Sequence, residues 1–174
     1  LYPSFLGRNA SSDLAGSEDF AGLELFNGGS EVLGVGNNWS AWAYSTFGLT
    51  GESDLVRPSD NAWLSMDSAA HFFIVKLQFN ASANDNVTIW MDPNLTAGEL
   101  GQPTSVYRNS GSGNAAFNRI ALRSGSNNNQ NNWEYDEIRI GQTWSDVVEV
   151  PEPASLSFLA AALAAAALRR RAAR

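Results

Sequence analysis

Between positions 20 and 145 the apolar residues recur mostly in short runs, each bounded by Gly, Asn, Asp or Ser. This pattern is typical of an all-β domain, and no long amphipathic helix is visible. The clearest local prediction is a hairpin, because the runs 20–26 and 31–35 flank an Asn-Gly-Gly-Ser sequence at 27–30. Asn and Gly tolerate the positive φ that a tight hairpin turn requires.

The strongest strand prediction covers residues 72–79, where apolar and polar positions alternate. Alternation with period 2 places one set of side chains in the core and the other towards solvent. The expected core set is Phe73, Val75, Leu77 and Phe79, opposite Lys76 and Gln78. A polar turn follows at 80–86, and then a run with three apolar residues on one side: Val87, Ile89 and Met91. The two runs therefore predict a second hairpin.

Two later runs continue the pattern. In the first, Ile120 and Leu122 are expected to face inward, with Arg119 and Arg123 outward. In the second, Ile138 and Ile140 are expected to face inward, and residues 127–132 are the predicted loop between the runs. Regular short strands with Asn and Gly loops favour an antiparallel two-sheet sandwich, and we predict a jelly roll.

Composition and charge restrict the partners of this chain. Its 174 residues suit one domain with a short appendix, and 11 basic against 18 acidic residues give a net charge of −7. The basic footprint of a nucleic-acid-binding protein is therefore missing. Four basic residues lie in the last six positions, so residues 1–150 have seven basic against seventeen acidic residues and a net charge of −10. The lack of cysteine excludes disulfides, thiolate metal sites and cysteine nucleophiles.

The end of the chain divides into three pieces with different physical roles. Pro151 and Pro153 keep the backbone around Glu152 extended, which suits presentation to a peptide-cleaving site. The apolar run 154–168 would span about 22 Å as a helix, against a hydrocarbon core of ~30 Å, and therefore predicts a temporary membrane anchor. The arginines that follow, at 169–171, would keep the C-terminus in the cytoplasm. A helix docked on the body is the alternative, but residues 159–168 have no polar face.

This order of Pro-Glu-Pro, apolar helix and arginine cluster resembles the PEP-CTERM sorting signal of exported bacterial proteins. The resemblance implies that a membrane-embedded exosortase recognises the tail, cuts near Pro-Glu-Pro and releases the body to the cell surface or the exopolysaccharide matrix. The residues that match the signal are Pro151, Glu152, Pro153, Arg169, Arg170 and Arg171. An exported protein needs an N-terminal signal, which residues 1–6 do not provide, so we expect the chain to start inside its domain.

The body resembles a concanavalin A-like, laminin G-like domain at three strand and turn patterns, residues 22–29, 117–125 and 135–141. The resemblance covers most of residues 18–148, and its patterns carry fold information but no chemistry. We therefore predict an all-β jelly-roll sandwich over residues 1–149, truncated at its N-terminus. Residues 150–174 are the predicted sorting signal with a single C-terminal hydrophobic transmembrane helix.

Glycosidases of the concanavalin A-like glucanase superfamily place three acids on one strand as Glu-x-Asp-x-(x)-Glu, because nucleophile and general acid must flank the sugar bond. Glu134 and Asp136 begin this pattern. The third acid should fall at position 138 or 139, where the chain has Ile138 and Arg139. We therefore interpret these acids, with Glu137, as loop-end and strand residues and expect no enzyme activity. A secreted glycan-active enzyme is the alternative.

Three further features have simpler explanations than a site. The Gly-Ser-Gly-Asn-Ala-Ala run at 111–116 mimics a dinucleotide-binding loop, but a strand pattern follows it instead of the required helix. His71, the only histidine, has no nucleophile motif nearby and suits a strand entry. The oxygens of Asn84-Asp85-Asn86 and Asp92-Pro93-Asn94 lack the spacing of a known calcium loop. We expect no cofactor, with calcium as the alternative.

Six tryptophans are many for this length, and five of them lie near loops or strand ends: Trp39, Trp42, Trp63, Trp133 and Trp144. Exposed indoles could stack on a polysaccharide, whereas buried ones would close the ends of the sandwich. Five Asn-x-Ser/Thr sequons mark polar turns, at Asn9, Asn38, Asn80, Asn86 and Asn94. The leading hypothesis is an exported, non-enzymatic surface or matrix protein whose body mediates adhesion or weak glycan contact.

Overall fold

The computed structural model describes residues 1–10, 19–38, 43–48, 53–57, 59–81, 84–102, 107–109, 113–126 and 132–148. Strands dominate this part of the chain, which confirms the all-β prediction. In chain order they are β1 (Tyr2–Asn9), β2 (Asp19–Asn27), β3 (Ser30–Asn38), β4 (Ser45–Gly48), β5 (Ser53–Asp54), β6 (Ala70–Gln78), β7 (Asn86–Met91), β8 (Tyr107–Asn109), β9 (Arg119–Ser126) and β10 (Trp133–Gly141). A 3-10 turn, Glu99–Gly101, and a short helix α1, Ser145–Val148, complete the described elements.

The strands form two antiparallel sheets. Sheet A has the order β10-β1-β6-β7-β8, and sheet B has the order β5-β4-β3-β2-β9. Both predicted hairpins are confirmed: β2 pairs with β3 down to Asn27 opposite Ser30, and β6 pairs with β7 down to Gln78 opposite Asn86. The first hairpin turns at Gly28, whose φ of 60° is the positive value that the Asn-Gly-Gly-Ser sequence predicts.

One apolar core lies between the sheets and makes the body a sandwich. Its buried cluster takes Phe5, Phe73, Val75, Leu77, Val87 and Ile89 from sheet A and Leu23, Leu25, Leu33 and Val35 from sheet B. Phe5 and Phe73 are opposite each other on β1 and β6, and their rings stack with centroids 4.9 Å apart. The sheets therefore hide their apolar faces against each other, as period-2 alternation requires.

The outer face of sheet A carries a second apolar cluster, which the sequence pattern did not predict. Tyr2, Ile74 and Trp90 from three adjacent strands pack there with Trp144 and Val147. The rings of Trp90 and Trp144 meet edge to face with centroids 5.2 Å apart. Because α1 and Trp144 cover this outer face, β6 is buried on both of its faces: Phe73 and Val75 lie in the core, and Ile74 lies in the outer cluster.

The expected core position of Phe79 is wrong. Its side chain is 51% exposed because β6 ends at Gln78 and the chain leaves the sheet one residue too early for the alternation to continue. Phe73, Val75 and Leu77 are buried as predicted.

The expected inward positions of Ile138 and Ile140 are also wrong, since these side chains are 47% and 53% exposed. They lie on β10 at the edge of sheet A, beyond an irregularity in its pairing with β1. Ile120 and Leu122 pack against the core as expected. Of the predicted loop 127–132, residues 127–131 lie outside the described residues, and the strands on either side of it join different sheets.

Candidate functional site

The acidic residues of β10 lie in a row whose spacing is set by a β-bulge. Opposite β1, Glu134 pairs with Arg8, Asp136 with Leu6 and Arg139 with Ser4. Glu137, at a φ of 52°, supplies the extra residue that shifts the register between Asp136 and Arg139.

This register places Glu134, Asp136 and Arg139 on one face of the strand, so position 139 is where a third acid would join the first two. An arginine occupies it, and its guanidinium binds the carboxylate of Glu137. Arg8 lies 3.6 Å from Glu134. The row is therefore two carboxylates and a cation, and the acid that would partner Glu134 in a retaining glycosidase has no counterpart in this row.

The described tryptophans differ widely in exposure. Trp63 is 63% exposed, whereas Trp144 is 7% exposed and packs on Trp90. Trp133 is half-buried and stacks on Tyr135 with centroids 6.2 Å apart. Burial removes Trp144 from the candidate sugar-stacking residues, because a stacking platform needs an open ring face. Trp39 and Trp42 lie outside the described residues.

Trp63 is presented by a short backbone framework. It forms an isolated bridge with Val56, and a turn between them is closed by the Arg57–Asp60 ion pair at 2.9 Å. The next residue, Leu64, donates its N–H to the carbonyl of Leu55 at 2.9 Å. Among the sugar-stacking candidates that the structure describes, Trp63 therefore combines a largely exposed side chain with a backbone held by hydrogen bonds.

His71 lies between two carboxylates at the start of β6. Its Nδ1 is 2.5 Å from Oδ2 of Asp92, and its Nε2 is 2.9 Å from Oδ1 of Asp67. Burial opposes protonation of the ring, but the hydrogen bonds that the ring donates to the Asp92 and Asp67 carboxylates outweigh it, so the pKa of His71 is raised above 6.5. Both ring nitrogens face acceptors, so the charged imidazolium is the form that the site stabilises. His71 is therefore the centre of two ion pairs, and it lies at the entry of β6, the strand-entry position that the sequence predicts.

In the two loops with the calcium-candidate oxygens, the side chains of Asp85, Asp92 and Asn94 bond to other groups of the protein. Asp92 accepts the backbone N–H of Phe72 as well as bonding His71, and Asn94 accepts the N–H of Thr96. Asp85 accepts the N–H of Asn80 and of Ala115. Across the described ranges, no group of three or more His, Asp or Glu side chains is arranged to hold a metal ion.

The outer face of sheet B carries an ion-pair network that the sequence did not predict. Glu24 is 1% exposed, and its carboxylate accepts a hydrogen bond of 2.6 Å from Arg123 on the neighbouring strand, which also binds Glu31 at 2.7 Å. Burial raises the pKa of Glu24, and the Arg123 hydrogen bond opposes the rise. The missed signal was an acid on β2 and an arginine on β9, two strands whose pairing the sequence could not reveal.

The sorting residues Pro151, Glu152, Pro153, Arg169, Arg170 and Arg171 all lie outside the described residues, and so does the predicted transmembrane helix. In the described part, no helix is long and apolar enough to cross a membrane. The body reaches the tail through α1, which ends at Val148 after packing Val147 into the outer cluster of sheet A.

A compact all-β body followed by a tail of this design defines an exported protein with a C-terminal sorting signal. Residues 149–171 match the PEP-CTERM protein-sorting motif, which confirms the resemblance seen in the sequence. This motif implies processing by an exosortase, a membrane enzyme, and a surface or extracellular location. No curated protein and no solved structure matches the chain.

Proposed function

We propose that the protein is a non-enzymatic component of the cell surface or extracellular matrix, whose body mediates adhesion or weak glycan contact after an exosortase has processed its tail. The observation that carries the proposal is the sorting motif at 149–171, directly after the last described element of the sandwich. Two antiparallel sheets around one core support a concanavalin A-like jelly roll as the architecture of the body.

The tail supports a transient anchorage in the membrane. Only five residues separate Val148 from the apolar run at 154, and a fully extended link of that size spans about 20 Å. A body on so short a link would stay close to the membrane surface, and the Pro-Glu-Pro sequence would lie between body and bilayer. Cleavage there would release the body from its anchor, whereas an intact tail would retain it.

The non-enzymatic role rests on the acid row of β10. Arg139 stands where a bulged strand would present the third acid, and its cation would favour ionised carboxylates rather than a protonated general acid. Trp63 supports glycan contact, because its indole is 63% exposed on a hydrogen-bonded support.

The rival function is a secreted glycan-active enzyme, and hydrolysis assays separate the two. We expect the purified full-length protein to release no reducing ends from a panel of β-glucans, with Glu134→Gln behaving like the parent. Turnover that disappears in Glu134→Gln but persists in Glu31→Gln, a control acid on sheet B, would establish the enzyme and refute the proposal.

A further inference from the structure

A cleft of about 650 Å³ opens at the end of the sandwich where β6 and β7 are joined. Its described lining includes Phe79, Asn80, Asn84, Asp85, Gly113 and Asn114. Its volume falls in the range of about 300–1,000 Å³ that is usual for small-ligand sites. The β-bridge arm that carries Trp63 is separate, since none of its residues lines the cleft.

Asp85 joins the two loops that form the cleft. Its side chain is buried, with Oδ1 accepting the N–H of Asn80 at 2.7 Å and Oδ2 accepting the N–H of Ala115 at 2.6 Å. The N–H of Asp85 donates to the carbonyl of Gly113 at 3.1 Å. Bonds from N–H groups to a carboxylate are stronger than neutral ones, so the walls are held in place without a ligand.

The groups on the walls suit a sugar ring. Phe79 is 51% exposed and lines the same cleft as Asn80 and Asn114. Within the described residues, Asn80 uses its Nδ2 towards Asn84 and Asn114 uses its Oδ1 towards Ala116. This leaves the Oδ1 of Asn80 as an acceptor and the Nδ2 of Asn114 as a donor among the residues that line the cleft, and a hydroxyl group can bond to both kinds of atom.

The charge of the cleft selects a neutral ligand. None of its described lining residues is cationic, and its carboxylate is satisfied by backbone N–H groups. The body as a whole is acidic, with an excess of ten negative charges over residues 1–150. An anionic ligand would meet repulsion without a compensating cation.

We propose that this cleft binds a neutral pyranose of an oligosaccharide, with Phe79 under the ring and the Asn80 and Asn114 amides on its hydroxyls. The proposal rests on the glycan contact suggested above, but it places that contact at Phe79 rather than at Trp63. It also explains why a large aromatic side chain follows β6 at a position where the sheet no longer buries it.

Titration calorimetry of the full-length chain in a zwitterionic detergent without sugar groups tests this site. The probes are laminaritetraose and cellotetraose, with trigalacturonate as the anionic comparison. We expect saturable binding of at least one neutral probe and none of trigalacturonate. Phe79→Ala should weaken binding about tenfold, whereas Phe79→Tyr, which keeps the ring, and Leu95→Ala, an exposed apolar position outside the cleft, should not.

Three results would overturn the site. If neither neutral probe binds, or if Phe79→Ala binds as tightly as the parent while its thermal unfolding is unchanged, the cleft is not a sugar site. If binding is lost in Trp63→Ala but not in Phe79→Ala, glycan contact stands and only its location is wrong. Equal affinity for trigalacturonate would refute the preference for a neutral ring.

Discussion

Glu24 and Arg123 show how one ion pair supports the outer face of sheet B. The carboxylate is almost fully buried, and the guanidinium that neutralises it also lies over the rings of Phe20 and Phe26 at 5.0 and 5.6 Å. Removing one partner of a buried pair leaves an uncompensated charge, which costs more than the pair itself contributes. The arginine is therefore more important to stability than its position on an edge strand suggests.

We predict that Arg123→Ala lowers the free energy of unfolding by about 3 kcal/mol at neutral pH. Arg119→Ala is the matched control, since Arg119 lies on the same strand and stacks over Phe26 at 4.2 Å, and it should cost about 1 kcal/mol or less. Urea denaturation measures both. The loss in Arg123→Ala should shrink at acidic pH, where Glu24 becomes protonated, and equal losses in the two variants would contradict this account.

The His71 ion pairs predict a pH dependence of stability. The pKa of His71 is raised in the folded state, so its contribution is complete below pH ~6.5 and is lost as the pH rises through the raised value. Burial opposes ionisation of Asp67, but its hydrogen bonds to His71 and the Ala69 N–H lower its pKa, so its contribution is lost as the pH falls below 3.8.

We expect the urea midpoint of the parent to fall as the pH rises above ~6.5 and His71→Gln to remove most of that slope. At pH 6 the substitution should cost about 1.5–3 kcal/mol, the usual range for hydrogen bonds to charged groups. Parallel pH profiles for the two proteins would show that His71 does not control this dependence.

Strand β6 shows how an element divides its side chains between core, outer face and solvent. Phe73 is fully buried against Phe5, whereas Phe79, in the same alternating series, lies one residue beyond the strand end and is 51% exposed. The two phenylalanines thus form a natural comparison of buried and exposed positions within one sequence pattern.

We predict that Phe73→Ala lowers the free energy of unfolding by about 3–5 kcal/mol, because it removes a ring from between the sheets. Phe79→Ala should change stability by less than about 0.5 kcal/mol. Chemical denaturation of both variants checks this, and a Phe79→Ala loss comparable to that of Phe73→Ala would mean that the strand continues past Gln78.

The sequence predicts those features of the elements that depend on neighbouring residues. Alternation in β6 and the Asn-Gly-Gly-Ser turn after β2 identify both hairpins, because side-chain period and turn conformation are local. β1 was not predicted, since Pro3 and Gly7 interrupt its pattern. The exposure of Ile138 was unpredictable, because it depends on the place of β10 at a sheet edge and on a bulge at Glu137.

The candidate sites also divide into features that depend on neighbouring residues, which the sequence predicts, and features that depend on distant residues, which it does not. The missing third acid at Arg139 could be predicted because it needs only spacing along one strand. The sequence could not predict which indole is exposed, because Trp63 and Trp144 both lie near loops and differ in what packs over them. The cleft at Phe79 needed two loops that are distant in sequence and are joined by Asp85.

On the scale of the whole molecule, the described residues form a two-sheet sandwich, and the sorting motif at 149–171 follows it. The body buries its own core between two sheets and needs neither disulfides nor, by our prediction, a cofactor. The tail has a single charge, Glu152, between Val150 and Leu168, followed by the arginines at 169–171. We therefore predict that sorting depends on these few side chains, which can be substituted without altering the body.

The most direct measurement is the mass of the secreted protein from a host that carries an exosortase. We predict that the parent is released without its apolar run, and that Glu152→Ala, or replacement of the arginines at 169–171 by alanine, leaves an uncleaved protein in the membrane fraction. Replacement of the same arginines by lysine keeps the positive charge and should be processed, as should Glu149→Ala. A secreted parent that still ends at Arg174, or unchanged processing when the Glu152→Ala and arginine replacements are combined, would contradict the account.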